Sequence, residues 1–576
     1  MGLYDDASLV MIPSGVKESK LYSIKPTDGT GDFDFTRGTD TATRVNSAGL
    51  IEKVRENLNI YSDPLDAQKG STSYAAVTYE DNYNWNLGSL LNNAIVFVDN
   101  STTRYAYYNN AVVSGTLYTL SVFMIMDDNS VPVPATDFLI VLGGVSIASG
   151  YSVEDYGNNV YRVSVYGISG ASNTANGILK VASNSAKGFR ISGFQVEQGL
   201  VATDYIETTG TTAQAGILED MPRLDYSGGA SCPSLLLEPQ RSNLYTYSEY
   251  YDTYTKSSCT ITSNATTSPE GSQNASKIVS ASGGPNIKRI QPSITTTGAN
   301  EYIISAFAKK AEWDYLFIYG AGTLVNGSLT IFNLDNGTIE QGSAHASIEA
   351  FGDDGWYKVT WKATSAGTGT ADPRIGITDN SSSSNSTGDG VSGVYLYGLQ
   401  IEQGSYPTSY IPTMGVSATR SADDMTTTFS SAIATNGSAT IFYHELGVAD
   451  SDDILSTAGS YRYQNDSSNY VSLTTNATAW RVRVQSGGVS NFRGLNEILK
   501  TEPIKVAIVV SSTHFSIFAN GVKEIDNEAL AATSDFSEIT KFQTNIADNL
   551  GARKTLQHLV FPTALTDSEC IALTTL

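Results

Sequence analysis

Short runs of alternating apolar and polar residues, each closed by a polar turn, recur along the whole chain and predict strands rather than helices. Residues 118–123 (Tyr-Thr-Leu-Ser-Val-Phe) and 302–307 (Tyr-Ile-Ile-Ser-Ala-Phe) read as strands, as do 391–398, 439–443, 480–484, 505–510 and 515–518. Two dipeptides predict hairpins, Asn336-Gly337 within 329–339 and Asn520-Gly521 within 515–522, because Asn-Gly suits a turn with two positive φ angles. Residues 378–390 are polar throughout and have nothing to bury, so they read as a loop. One segment departs from the pattern: Thr566 or Asp567 can cap a short helix over the final residues.

The order of these elements repeats. Gly193-Phe194-Gln195-Val196-Glu197-Gln198-Gly199, followed by Asp204-Tyr205-Ile206, returns as Gly398-Leu399-Gln400-Ile401-Glu402-Gln403-Gly404, followed by Ser409-Tyr410-Ile411. Upstream, Arg55-Glu56-Asn57-Leu58-Asn59-Ile60-Tyr61-Ser62 returns as Arg241-Ser242-Asn243-Leu244-Tyr245-Thr246-Tyr247-Ser248. A third pair is Tyr161-Arg162-Val163-Ser164-Val165 and Tyr357-Lys358-Val359-Thr360-Trp361. Three collinear matches at nearly constant spacing mean a duplicated domain. The expected fold class is all-β: two tandem jelly-roll β-sandwiches, residues 58–210 and 246–417, and a third sandwich over 418–576. Residues 1–57 are expected to form an extended attachment segment and 211–245 a linking segment.

Composition agrees with this reading. At 576 residues the chain exceeds what one core can serve, and 40% hydrophobic residues supply several. Charged residues make up only 16%, too few to cover many exposed helix faces. The net charge of −23 repels phosphate backbones, which argues against nucleic acid as a partner. Cys232, Cys259 and Cys570 are odd in number and irregularly spaced, so neither a disulfide framework nor a zinc site is expected. The opening Met1 to Asp6 lacks a basic stretch leading into an apolar one, and Asp6 stands where a myristoylation signal requires Ser or Thr. No apolar run is long enough to span a membrane as a helix.

Catalytic constellations are not legible. His345, His444, His514 and His558 are dispersed, no Gly-x-Ser-x-Gly elbow frames a serine, and acidic neighbours such as Asp353 and Asp354 have nothing to single them out. No enzymatic activity is therefore expected. Asp450, Asp452 and Asp453, and the Asp335-Asn336 turn, are candidate calcium ligands, calcium being the one cofactor the loops suggest. Sugar binding calls for aromatic rings that can lie against a pyranose face. Trp85, Tyr107, Tyr108, Trp313 and Tyr315 are the candidates in the two repeats, and Trp480 in the third sandwich.

Leu550-Gly551-Ala552-Arg553, Ala564-Leu565-Thr566-Asp567-Ser568-Glu569 and the Phe518-Ala519-Asn520-Gly521 hairpin resemble laminin-G/concanavalin-like domains. The repeated domains resemble carbohydrate-binding-module-like jelly rolls found in phage fibers. The phrases Thr41-Ala42-Thr43-Arg44-Val45-Asn46 and Gln400-Ile401-Glu402-Gln403-Gly404, the latter followed by Thr408-Ser409-Tyr410-Ile411-Pro412-Thr413, are similar to ones in bacteriophage virion structural proteins. The resemblance covers nearly the whole chain. It implies a fiber, spike or capsid-decorating protein on the virion surface, assembled in the host cytoplasm as a homo-oligomer, a trimer by analogy with other fibers. Its implied partners are other capsid or tail proteins and host-surface polysaccharide. A structural connector that binds no sugar is the alternative reading.

Overall fold

The computed structural model describes residues 2–63, 72–75, 77–98, 103–108, 112–147, 150–171, 175–181, 187–325, 327–448, 461–476, 478–532, 536, 538–544 and 552–576. The chain is all-β, built as three sandwiches, with a short C-terminal helix, Asp567–Thr574. Thr566 caps that helix through a reciprocal pair with Glu569.

The first module pairs a six-stranded antiparallel sheet with a five-stranded one. Leu117–Met126 lies central in the larger sheet, between Tyr161–Ile168 and Phe189–Gln198. The second module repeats this arrangement with Glu301–Lys310 between Trp356–Ser365 and Gly393–Gln403. Even an irregularity is duplicated: both central strands slip register against the following Gly-x-Gln strand, after Ser121 and after Ser305. Gly193 and Gly398 allow it. Their φ angles are +63° and +62°, and a Cβ at Gly193 would lie 2.5 Å from the Phe123 ring.

The Asn520-Gly521 hairpin forms as expected, with φ of +46° and +83°. At Asn336-Gly337 only Gly337 is left-handed, because its N–H reaches back to the Asn333 carbonyl and closes a longer turn between Thr330–Asn333 and Thr338–Gln341.

The third sandwich is not a continuous stretch of chain. Its eight-stranded sheet includes Leu9–Met11, Arg223–Asp225 and Ser234–Leu237, and its nine-stranded sheet includes Val16–Lys17, Lys20–Leu21 and Phe33–Thr36. Leu9 stands opposite Val560, Leu235 opposite Thr555, and Phe35 opposite Met425. Leu9, Met11, Phe33, Phe35, Leu235 and Leu237 are buried in one core with Ile441, Trp480 and Val560. The segments 1–57 and 211–245, read from sequence as an attachment arm and a linker, thus contribute strands and core residues to this sandwich.

Both modules are insertions into it. Arg55–Asn57 pairs with Ala213–Ala215, and Arg241–Asn243 pairs with Ala418–Arg420, so the two ends of each module leave side by side. Beneath these joints lies a buried ionic cluster. Arg223 bonds Glu238 at 2.7 Å and also Asp423; Arg420 reaches Glu238 at 2.9 Å and Arg37 reaches Asp423 at 3.3 Å.

Candidate glycan-binding faces

The repeated phrases turn out to fasten each module shut. Asn57 donates to the carbonyls of Phe194 and Ile206 and accepts from the Val196 N–H; Asn243 does the same with Leu399, Ile411 and Ile401. Gln195 accepts the Ile206 N–H at 2.7 Å and donates to Glu197, which in turn accepts from the Thr203 N–H and hydroxyl. Gln400, Glu402, Thr408 and Ile411 repeat the pattern. Burial outweighs these hydrogen bonds and holds both Glu197 and Glu402 above the usual carboxylate range. These side chains are interior groups, which removes the repeat motif from the search for a binding surface.

Four of the six aromatic candidates are also interior. Trp85 and Trp480 have no exposed surface, and their indole N–H groups are bonded to the Asn93 and Glu502 carbonyls. Tyr108 packs against Phe194 in the first core, and Trp313 belongs to the second. A ring packed on both faces has no face left for a sugar. The period-two pattern gave their alternation but not which side was inward.

Tyr107 and Tyr315 remain half-exposed, on the outer faces of their modules' sheets. On Arg104–Tyr108, the alternation puts Ala106 and Tyr108 in the core and turns Tyr105 and Tyr107 outward. The two outward rings stack at 4.6 Å and 21°. Burial, with Tyr105 as the neighbour, raises the Tyr107 phenol above its ordinary value, so the Tyr107 hydroxyl is a neutral donor at neutral pH. Leu179 stands opposite Tyr105 and Leu139 opposite Leu179, both half-buried. Gly177 stands opposite Tyr107, and a Cβ there would meet the Ala106 carbonyl oxygen at 2.0 Å. The face therefore offers two rings beside an apolar shelf with a floor kept low by glycine. Sequence reading singled out Tyr107 but passed over Tyr105, although the spacing Tyr105-x-Tyr107 on one strand was the signal.

On the second module the equivalent face has another character. Tyr319 accepts a hydrogen bond from Arg374 at 2.8 Å, and Phe317 stacks on Tyr319. Tyr315 lies opposite Thr378 on the same strand pair, and Asn333, opposite Tyr315, donates to Glu340 at 2.8 Å. Amide, carboxylate and guanidinium groups flank the tyrosines here.

Several other titratable groups are occupied locally. Lys53 bridges Glu249 and Glu270 at 2.9 Å each, beside a cleft of about 270 Å³ where the two modules meet. Burial opposes the Lys53 charge, but the two carboxylates outweigh it and raise the ammonium above its usual value. His558 is buried against Glu445 at 3.1 Å, and His514 contacts Thr513. Asp354 pairs with Lys309, and Asp335 with Lys310. Asp450, Asp452 and Asp453 lie outside the described residues. Among the described residues, no three His, Cys, Asp or Glu side chains converge as metal ligands would. The three cysteines are free thiols, Cys259 and Cys570 buried and Cys232 exposed.

No family model matches the chain. No curated protein matches it either. Solved structures similar to parts of it include carbohydrate-binding modules and a domain solved with a bound arabinan fragment. One is the CBM40 of a Ruminococcus gnavus IT-sialidase bound to α2,3-sialyllactose, at 17% identity over 24% of this chain and 84% of the other, with a TM-score of 0.20. A second is domain 4 of AbnA, a GH43 extracellular arabinanase of Geobacillus stearothermophilus, in complex with arabinotriose: 10% identity, 27% and 73% coverage, TM-score 0.22. A third is the N-terminal CBM22-1–CBM22-2 tandem of Paenibacillus barcinonensis Xyn10C, at 10% identity over 57% of this chain and 93% of the other, TM-score 0.18.

Proposed function

We propose that this chain is a non-catalytic glycan-binding adhesin, displayed as an appendage on a bacteriophage virion. The observation that carries the binding reading is the stacked Tyr105–Tyr107 pair on an outward sheet face, with half-buried Leu139 and Leu179 beside it. Stacked tyrosines present apolar ring edges and faces together with fixed hydroxyl donors, which suits the mixed apolar and hydroxylated surface of a pyranose. Such a face binds weakly alone. Several copies on one particle gain affinity by avidity, without a deep pocket. The virion placement rests on the sequence resemblance.

Glycan-array binding of the intact protein tests the adhesive reading. The wild type is expected to retain a defined set of glycans, and Tyr105→Ala/Tyr107→Ala to lose about tenfold or more in affinity at unchanged melting temperature. Array signals at background for the wild-type protein overturn it. Release of reducing ends from a bound polysaccharide overturns the non-catalytic part. Absence of the chain from purified particles of the phage encoding it overturns the virion placement.

A further inference from the structure

The outer face of the nine-stranded sheet carries a second arrangement, independent of the tyrosine pair. Along Ala479–Ser486, Trp480, Val482 and Val484 enter the core, so Arg481, Arg483 and Gln485 point outward. Cross-strand register sets Arg462, Ser472, Arg483 and Phe492 in one row across four strands. Neighbouring rows hold Gln464, Tyr470, Gln485 and Ser490, and Thr474 with Arg481.

Cations and rings alternate across these rows. The Arg462 guanidinium lies 4.8 Å from the Tyr470 ring centre, and Arg483 lies 5.0 Å from Tyr470. Arg483 is also 5.0 Å from Phe492, and Arg481 is 4.5 Å from it. Stacking of this kind holds each guanidinium plane in place and leaves N–H edges free to bind. Arg483 uses some of its donors on Gln485 and Ser490.

What sets the face apart is the charge it leaves unanswered. The chain carries 58 acidic residues against 35 basic ones, yet no carboxylate among the described residues pairs with Arg462, Arg481 or Arg483. Burial depresses the pKa of Arg481 and Arg483, and each has another of these arginines nearby pushing the same way. The polar atoms beside them are unsatisfied as well. Arg462 Nε, Arg481 Nε, Gln464 Oε1, Ser472 Oγ and Thr474 Oγ1 are buried without a hydrogen-bond partner, and Ser472 and Thr474 are each 1% exposed. Buried donors and acceptors left unpaired destabilise the fold, so a face with several is short of a ligand that would supply the partners.

We infer that this face binds an acidic polysaccharide, its carboxylate or sulfate groups on Arg462, Arg481 and Arg483 and its hydroxyls on Gln464, Ser472 and Thr474. Charge complementarity selects an anion. The hydroxyl and amide side chains between the arginines select a polyhydroxylated one. An extended peptide would join a sheet at its edge, where backbone groups are free, rather than lie on a face. Nucleic acid carries a denser charge, which the net −23 of the whole chain repels.

Binding of the full chain to immobilised polygalacturonate (carboxylate) and dextran sulfate (sulfate), with neutral dextran as control, tests the inference and separates the two sources of charge. Wild type is expected to bind at least one of the two anionic polymers and not dextran, with affinity falling as salt rises. Arg481→Ala/Arg483→Ala is expected to weaken binding at least about tenfold and flatten the salt dependence, and Arg481→Lys/Arg483→Lys to restore part of it. Tyr105→Ala/Tyr107→Ala should leave this binding unchanged, so failure here and failure of the tyrosine site are distinguishable. Equal binding by wild type and Arg462→Ala in a protein of unaltered melting temperature overturns the assignment. So does absence of binding to both polyanions at low salt, or tighter binding to polyglutamate or poly-uridylate RNA than to either polysaccharide.

Discussion

Arg223 has no exposed side-chain surface and lies between Glu238 and Asp423, while also donating to the Thr43 carbonyl and the Ser409 hydroxyl. Together with Arg37 and Arg420 it binds carboxylates contributed by two different stretches of chain. Removing one member of such a cluster leaves a buried charge uncompensated, so Arg223→Met is expected to lower the unfolding free energy by about 3–5 kcal/mol in denaturant titration. The pH dependence follows from Glu238. Burial alone would raise its pKa, but Arg420 and Arg223 outweigh burial and hold it far below the usual carboxylate range. A depressed carboxylate contributes stability that is fully present above the ordinary glutamate value of 4.5 and is lost as pH falls below it. The melting temperature should therefore drop on acidification below about pH 4.5, and Glu238→Gln, less stable at pH 7, should show a shallower drop. Equal acid sensitivity in the two proteins would count against Glu238 as the source.

At the scale of elements, the third sandwich depends on strands far away in the sequence. Leu9–Met11 and Ser234–Leu237 both pair with Arg553–Phe561. Phe33 and Phe35 close the core against Phe429, Phe542 and Met425. Residues 418–576 expressed alone are expected to aggregate, because apolar strand edges and half a core are left open. Co-expression with residues 1–57 and 211–245 should recover soluble β-structure by circular dichroism. Sequence periodicity found several of the long strands and the C-terminal helix cap, because those depend on local alternation and on a side chain bonding its own turn. It did not reveal that 1–57 and 211–245 complete a sandwich. Strands of two to four residues, such as Leu9–Met11 and Phe33–Thr36, carry too few positions to show a period, and each has a partner hundreds of residues away. At the candidate sites the gap has a different cause. Trp480 and Arg481 are adjacent on one strand, and alternation says only that they face opposite ways; the sheet that covers one side makes Trp480 core and Arg481 surface.

Across the whole molecule, the two modules emerge from paired strands on the third sandwich, with Asn57 opposite Ala213 and Asn243 opposite Ala418. A module whose ends are adjacent can be removed without stretching the chain. Replacing 58–212 by a short Gly-Ser linker is expected to leave the other two sandwiches folded, with a cooperative melt. The loss includes the contacts that Gly115, Leu117 and Leu200 make with Tyr247, Met414 and Asn264. The loss also includes the apolar cluster that Leu117, Leu200 and Tyr166 form with Met414, Tyr247 and Tyr250, so a fall in melting temperature of several degrees is expected by calorimetry. A collapsed or insoluble product would mean that the first module is needed for the third sandwich to fold.

The duplication, the all-β class and the alternation of each long strand were determined by the sequence itself, because each rests on residue types at short, fixed separations. Which aromatic rings remain open, which arginines lack a carboxylate, and which distant segments complete the third sandwich were decided by tertiary structure. Those properties depend on what the far side of each sheet packs against, and packing between residues hundreds of positions apart leaves no period to read.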